Sequence, residues 1–88
     1  MASVTGSFTA TGQSSVTGLH GKFSLSLTGF GVGTVKLERS FDDGTTWGVV
    51  EEFTADAEKV GEENSYGAVY RLNCTAYTSG TIAYVLTQ

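Results

Sequence analysis

An antiparallel β-sandwich of jelly-roll or Greek-key type, with about seven to eight short strands, is the fold class this sequence predicts. Three observations point to it. Apolar residues recur with period two along most of the chain, the signature of strands with one buried face. Turn-forming clusters interrupt that pattern roughly every 8–12 residues. The composition is rich in Thr, Ser and Gly, with 12 glycines and no proline among 88 residues, which favours strands and turns over helices. A chain of this length supports one domain, 1–88, and buries only about 60–65% of its unfolded surface. Burial against partners would therefore add appreciably to its stability.

The elements follow in order. "SVTGSFTATGQSSVTG" has sparse apolar residues, Val4, Phe8 and Val16. Residues 1–18 read either as an N-terminal arm or as an edge strand near Ser7–Thr11, and Phe8 with Ala10 favours the strand. "KFSLSLTGF" sets Phe23, Leu25 and Leu27 against Ser24, Ser26 and Thr28. The glycines of "GFGVG", Gly29–Gly33, read as a turn, because neither the Lys nor the helix of a phosphate loop follows. "GTVKLERSF" places Val35, Leu37 and Phe41 on one face, and Arg39 falls among them. A strand from about Thr46 to Phe53 comes next. "TADAEKVGEEN" holds either a helical turn or a strand edge at Lys59–Glu62. "GAVYRLNCTAY" alternates Ala68, Tyr70, Leu72, Cys74 and Ala76 with Val69, Arg71, Asn73 and Thr75, and "GTIAYVLTQ" sets Ile82, Tyr84 and Leu86 against Ala83 and Val85. Phe23, Leu25, Leu27, Val35, Leu37, Trp47, Leu72, Ile82 and Leu86 are the expected inward set.

"SFDDGTTW", Ser40–Trp47, fits the pattern Ser-x-Asp-x-Gly-x-Thr-Trp. It resembles the Asp-box hairpin repeated in sialidase-type β-propellers. The expected roles are local. Asp42 accepts backbone N–H groups across the turn, and Ser40 adds a further hydrogen bond. Gly44 supplies a positive φ, and Trp47 anchors the hairpin to the core. A propeller needs several four-stranded blades, and the sialidase site needs three arginines where this chain has two, so the motif reads as structural.

No catalytic, cofactor-binding or metal-binding residue is expected. His20 is the single histidine, with no group to orient it as a base. No His, Cys, Asp or Glu grouping has metal-ligand spacing. Glu51/Glu52 and Glu62/Glu63 are adjacent pairs, which a strand points to opposite faces. Cys74 has no second cysteine to bond with and reads as a small buried residue. Arg39 and Arg71 sit within apolar strands, where a charge needs a partner. Each either faces outward towards an acidic group, Arg39 reaching Asp42 or Asp43 across the turn, or contributes to a subunit interface.

The net charge of −4, with five scattered basic residues, argues against nucleic-acid binding. No apolar run approaches the roughly 20 residues of a membrane span. The start, "MASVTGSFTATGQ", lacks the charged and apolar regions of a signal peptide.

From Gly33 to Gln88, through "VKLERSFDDGTTW", an acidic "GEE" connector and "YRLNCTAYTSGTIAYVLTQ", the chain resembles small all-β virion proteins of tailed bacteriophages and prophages. The resemblance implies a non-enzymatic structural component. A head decoration, or cement, protein is expected, bound to the major capsid protein or other virion proteins and assembled in the host cytoplasm. A homo-oligomer, with three-fold symmetry to match capsid lattices, is the expected form. The alternatives are a tail- or baseplate-associated protein and a carbohydrate-binding module for host-surface glycans. The last would use Tyr66, Tyr70, Tyr77 and Tyr84.

Overall fold

A computed structural model describes residues 3–88 of the chain. These residues are all-β and antiparallel, with no helix. Seven strands form one hydrogen-bonded sheet: β1 (Ser3–Phe8), β2 (Gly12–Gln13), β3 (Thr17–Gly18), β4 (Gly21–Ser40), β5 (Gly48–Phe53), β6 (Ala57–Glu63) and β7 (Val69–Thr87). The main path runs β1-β7-β4-β5, with β2 and β3 also on β7 and β6 also on β4.

β4 and β7 are 20 and 19 residues long, well beyond the usual five or six or so. They pair with each other from Ser24↔Thr87 to Ser40↔Val69. This continuity corrects the expected pair of separate sheets of short strands. It also corrects the expected turn at "GFGVG", which lies inside β4, as "TSG" lies inside β7. The register shifts repeatedly between Thr28 and Val35, as bulges do when they bend a ladder. Gly29 and Gly80 take φ of 80° and 102° there, values that a side chain would strain. Glycine serves a bend inside a strand by the same backbone freedom that it gives a turn.

The bend brings the two halves of the sheet face to face. The Phe23 ring, early in β4, packs 5.2 Å from Tyr70, which pairs with Arg39 near the end of β4. Lys59 on β6 reaches Glu51 on β5 at 3.1 Å. One core cluster lies between the halves and holds Leu25, Leu27, Val35, Leu37, Leu72, Ile82 and Leu86, all nearly or fully buried. Of the expected inward set, only Trp47 is not in it. Tyr70, Cys74 and Tyr84 are buried as well.

Residues 3–18 do not project as an arm. β1 pairs with β7 in unbroken register from Ser3↔Thr87 to Phe8↔Ile82, and Val4 and Phe8 join the core. The segment expected as a helical turn or strand edge is β6, paired along its whole length with the first part of β4.

Candidate interaction site

The β4–β5 hairpin closes through side chains. Ser40 Oγ donates to Asp42 Oδ1 at 2.6 Å and accepts from the Gly44 N–H at 2.9 Å. Asp42 Oδ1 also accepts the Thr46 N–H at 2.8 Å. Asp43 and Gly44 sit at φ of 60° and 94°, the left-handed pair that lets seven residues reverse direction. The Ser40 hydroxyl, and then the Thr46 N–H, hold the Asp42 carboxyl down at about 2. Hydrogen bonding of the charged form is the physical cause.

Trp47 departs from expectation. Its Nε1 donates to the Gly44 carbonyl at 3.0 Å, so the indole does brace the turn. Its ring, however, lies outside the core, 4.2 Å from the Arg71 guanidinium. Arg71 is on the outward face of β7, where its Nε donates to Glu38 at 2.8 Å. Glu38 also accepts from Asn73, which in turn accepts from Gln13. The outer face of this half therefore carries a connected polar chain capped by an indole. Phe41 also departs from its expected inward place and is 59% exposed. Alternation holds only while the strand continues, and β4 ends at Ser40.

Arg39 points inward rather than outward, and its partner is neither Asp42 nor Asp43. Its Nη1 donates to Glu63 Oε1 at 3.1 Å. Glu63, only 5% exposed, also accepts the Tyr70 hydroxyl at 2.6 Å and the Ser65 N–H at 3.1 Å. Burial pushes the Glu63 carboxyl up, and the bonds from Tyr70, Ser65 and Arg39 together pull it below its ordinary value. Burial, then the neighbouring Glu63, pushes Tyr70 up to about 12. The guanidinium also lies 4.5 Å over the Phe41 ring. The sequence marks Arg39 as a misfit on an apolar face. Its partner 24 residues away leaves no local signal.

These groups frame an open groove of about 600 Å³, lined by Arg39, Phe41, Asp42, Thr46, Trp47, Gly48, Val49 and Val50. Val49 and Val50 are about half exposed, at 54% and 46%. Opposite Leu37 and Glu38, Val50 is the extra residue of a bulge. The groove thus joins an apolar floor to one cation and one anion. His20 lies elsewhere, stacked 3.9 Å from Tyr66 with Nδ1 3.3 Å from the Ser65 carbonyl. Among the described residues, no group of three or more His, Cys, Asp or Glu is placed to hold a metal ion. No helix among them is long and apolar enough to cross a membrane.

No family model matches the chain, and no curated protein matches it in sequence. Among solved structures, the crystal structure of the Yersinia pseudotuberculosis-derived mitogen is similar. Its TM-score is 0.59 and its identity 17%, over 98% of this chain and 83% of the mitogen chain. At that identity the likeness establishes a shared all-β fold and nothing finer.

Proposed function

We propose that this chain is a non-enzymatic structural protein of a phage virion, a decoration protein that binds the capsid surface as an oligomer. The observation that carries the reading is the groove at the hairpin. Exposed Phe41 lies in a turn locked by five hydrogen bonds, and exposed Val49 and Val50 lie beside it on β5. Exposed apolar side chains on a rigid support are what a protein–protein contact uses, because little ordering entropy is lost on binding. The major capsid protein is the proposed partner, and the virion, assembled in the host cytoplasm, is the proposed location.

Mass spectrometry and electron microscopy of purified virions test this. The expected result is a stoichiometric protein on the head, with occupancy strongly reduced by Val49→Asp and folding intact. Density on the tail or baseplate instead would move the assignment there. A protein that never co-purifies with particles would end it.

A sugar-binding reading draws on Phe41 and Trp47 in the groove, and loses the support of Tyr70 and Tyr84. Those two are buried and Tyr77 is half-buried, while Tyr66, stacked on His20 by one face, stays 87% exposed. Binding on a glycan array, abolished by Trp47→Ala, would favour it over the capsid reading.

A further inference from the structure

Among the described residues the sheet has five edge strands, and four carry devices that discourage another strand from adding. β5 has the bulge at Val50 and the carboxylates Glu51 and Glu52. β6 carries Glu58, Lys59, Glu62 and Glu63 in seven residues. β2 and β3 are two residues each. Bulges, charges and short length are the recognised means of blocking edge-to-edge pairing. β1 has none of them. It is six residues long, in unshifted register with β7, and holds no charged residue. Among the described residues no strand pairs with its outer side, so alternate N–H and C=O groups there point away from the sheet.

The sheet face next to this edge is also neutral. Ser3, Thr5 and Ser7 lie opposite Thr87, Val85 and Ala83 on β7. Those in turn lie opposite Ser24, Ser26 and Thr28 on β4. Charge begins at Lys22, two residues before Ser24 on β4, and continues on β6. We infer that β1 is a docking edge, and that its occupant is a second copy of this chain, paired antiparallel β1 to β1 about a two-fold axis.

Charge is the reason for choosing a second copy. A two-fold contact sets each patch against its own copy, so an edge with a net charge meets the same net charge, as β5 with Glu51 and Glu52 and β6 with Glu58, Lys59, Glu62 and Glu63 would. In a chain of net charge −4, β1 is the long edge where self-pairing brings no like charges together. Exposed Ser and Thr side chains suit cross-strand pairing on an antiparallel ladder. This pairing favours a two-fold over the three-fold symmetry expected from the virion resemblance. It does not depend on the capsid assignment.

Sedimentation equilibrium of the full chain across the micromolar range tests the inference. The expected species is twice the 9.2 kDa monomer mass. Thr5→Lys places a charge at the middle of β1 on an already exposed side chain, and should weaken self-association about tenfold or more. Val60→Lys, on the exposed face of β6, should leave it unchanged. Ser7→Lys repeats the test should Thr5→Lys disturb folding, as judged by circular dichroism. Hydrogen exchange at β1 amides should slow as the protein concentration rises. A monomer at every concentration, a trimer, or a dimer indifferent to both β1 lysines would overturn the inference. So would β1 amides that gain protection only when particles are added.

Discussion

The two halves of the bent sheet are built from the same two strands, yet they differ on both faces. In the half nearest β1 and β6, the inward residues of β4 and β7 are Phe23, Leu25, Leu27, Ile82, Tyr84 and Leu86, all buried. The outward residues there are Lys22 at the start of β4 and then Ser, Thr, Ala and Val. In the half nearest the hairpin, the inward run Val35, Leu37 ends in Arg39, bound to buried Glu63. The outward side carries Glu38, Arg71 and Asn73 in one hydrogen-bonded chain. The first half is an apolar layer with a bland exterior. The second spends polar groups on fixing the shape of one surface. A small domain has little stability to spare, so the buried carboxylates Glu38 and Glu63, each bonded to an arginine, mark where a defined shape matters.

Truncation in the core should be the largest effect and should blur the comparison. Leu27→Ala and Leu72→Ala lie in opposite halves and both side chains are fully buried. Each should cost about 2–5 kcal/mol in denaturant unfolding. A large difference in cost would show that the halves do not share one core.

Removal of Glu63 sharpens the contrast. Glu63→Ala strands the buried Tyr70 hydroxyl and frees Arg39, whose side chain is 39% exposed and can turn to water. The expected loss is about 1.5–3 kcal/mol, the range for hydrogen bonds to a charged group. Arg39→Met should cost less than Glu63→Ala, because Glu63 would keep its bonds from Tyr70 and Ser65. Equal losses would mean that the ion pair, and not the hydroxyl bond, holds the cluster.

Two glycines test the apolar half. Gly6 lies opposite Tyr84 and Gly61 opposite Phe23. A Cβ at Gly6 would sit 2.7 Å from the Tyr84 hydroxyl, and one at Gly61 would sit 2.6 Å from Phe23 Cζ. An aromatic ring covers an edge-strand glycine at both margins of this half. Gly6→Ala and Gly61→Ala should each cost about 1–3 kcal/mol through overpacking. Thermal melts with no loss would show that the rings swing aside freely.

How much of this the sequence discloses follows from the range of each signal. Period two identifies the core, because alternation is local and survives wherever a strand runs on. It misplaces Phe41 and Trp47, since the strand stops at Ser40 and a bulge at Val50 resets the parity of β5. Neither event leaves a mark in the apolar pattern. Glycines announce a change of direction in "GFGVG" but not whether the chain turns back or bends onward. Of the hairpin, Ser40, Asp42 and Gly44 are legible because their bonds span at most four residues. The Arg39–Glu63–Tyr70 cluster is legible only as an anomaly at Arg39.

Trp47 and Arg71 link the hairpin to the outer face. Trp47→Ala removes a cation–π contact worth about 0.5–1 kcal/mol when exposed, together with the indole bond to Gly44. Arg71→Met should cost a similar amount, through loss of the Glu38 bond. A double-mutant cycle with a coupling near zero would separate the indole from the guanidinium energetically, despite their 4.2 Å approach.

The smallest expected effect is a pH dependence, and it isolates the hairpin from both halves. The Asp42 carboxyl is held near 2, against an ordinary 3.8. A carboxylate with a depressed folded-state value binds its proton more readily in the unfolded chain. Its contribution to stability is therefore present above about pH 4 and is lost as pH falls from there towards 2. Asp42→Asn keeps a side-chain oxygen that can accept the Ser40 hydroxyl and the Thr46 N–H, and removes the titration. Melting temperatures of the variant and the parent chain should differ most near neutral pH and converge between pH 4 and pH 2. Glu63, also held below its ordinary value, titrates in both proteins and so drops out of the difference. A difference that stays constant across that window would mean the Asp42 charge does nothing beyond what the neutral amide does. The hairpin would then be held by hydrogen-bond geometry alone.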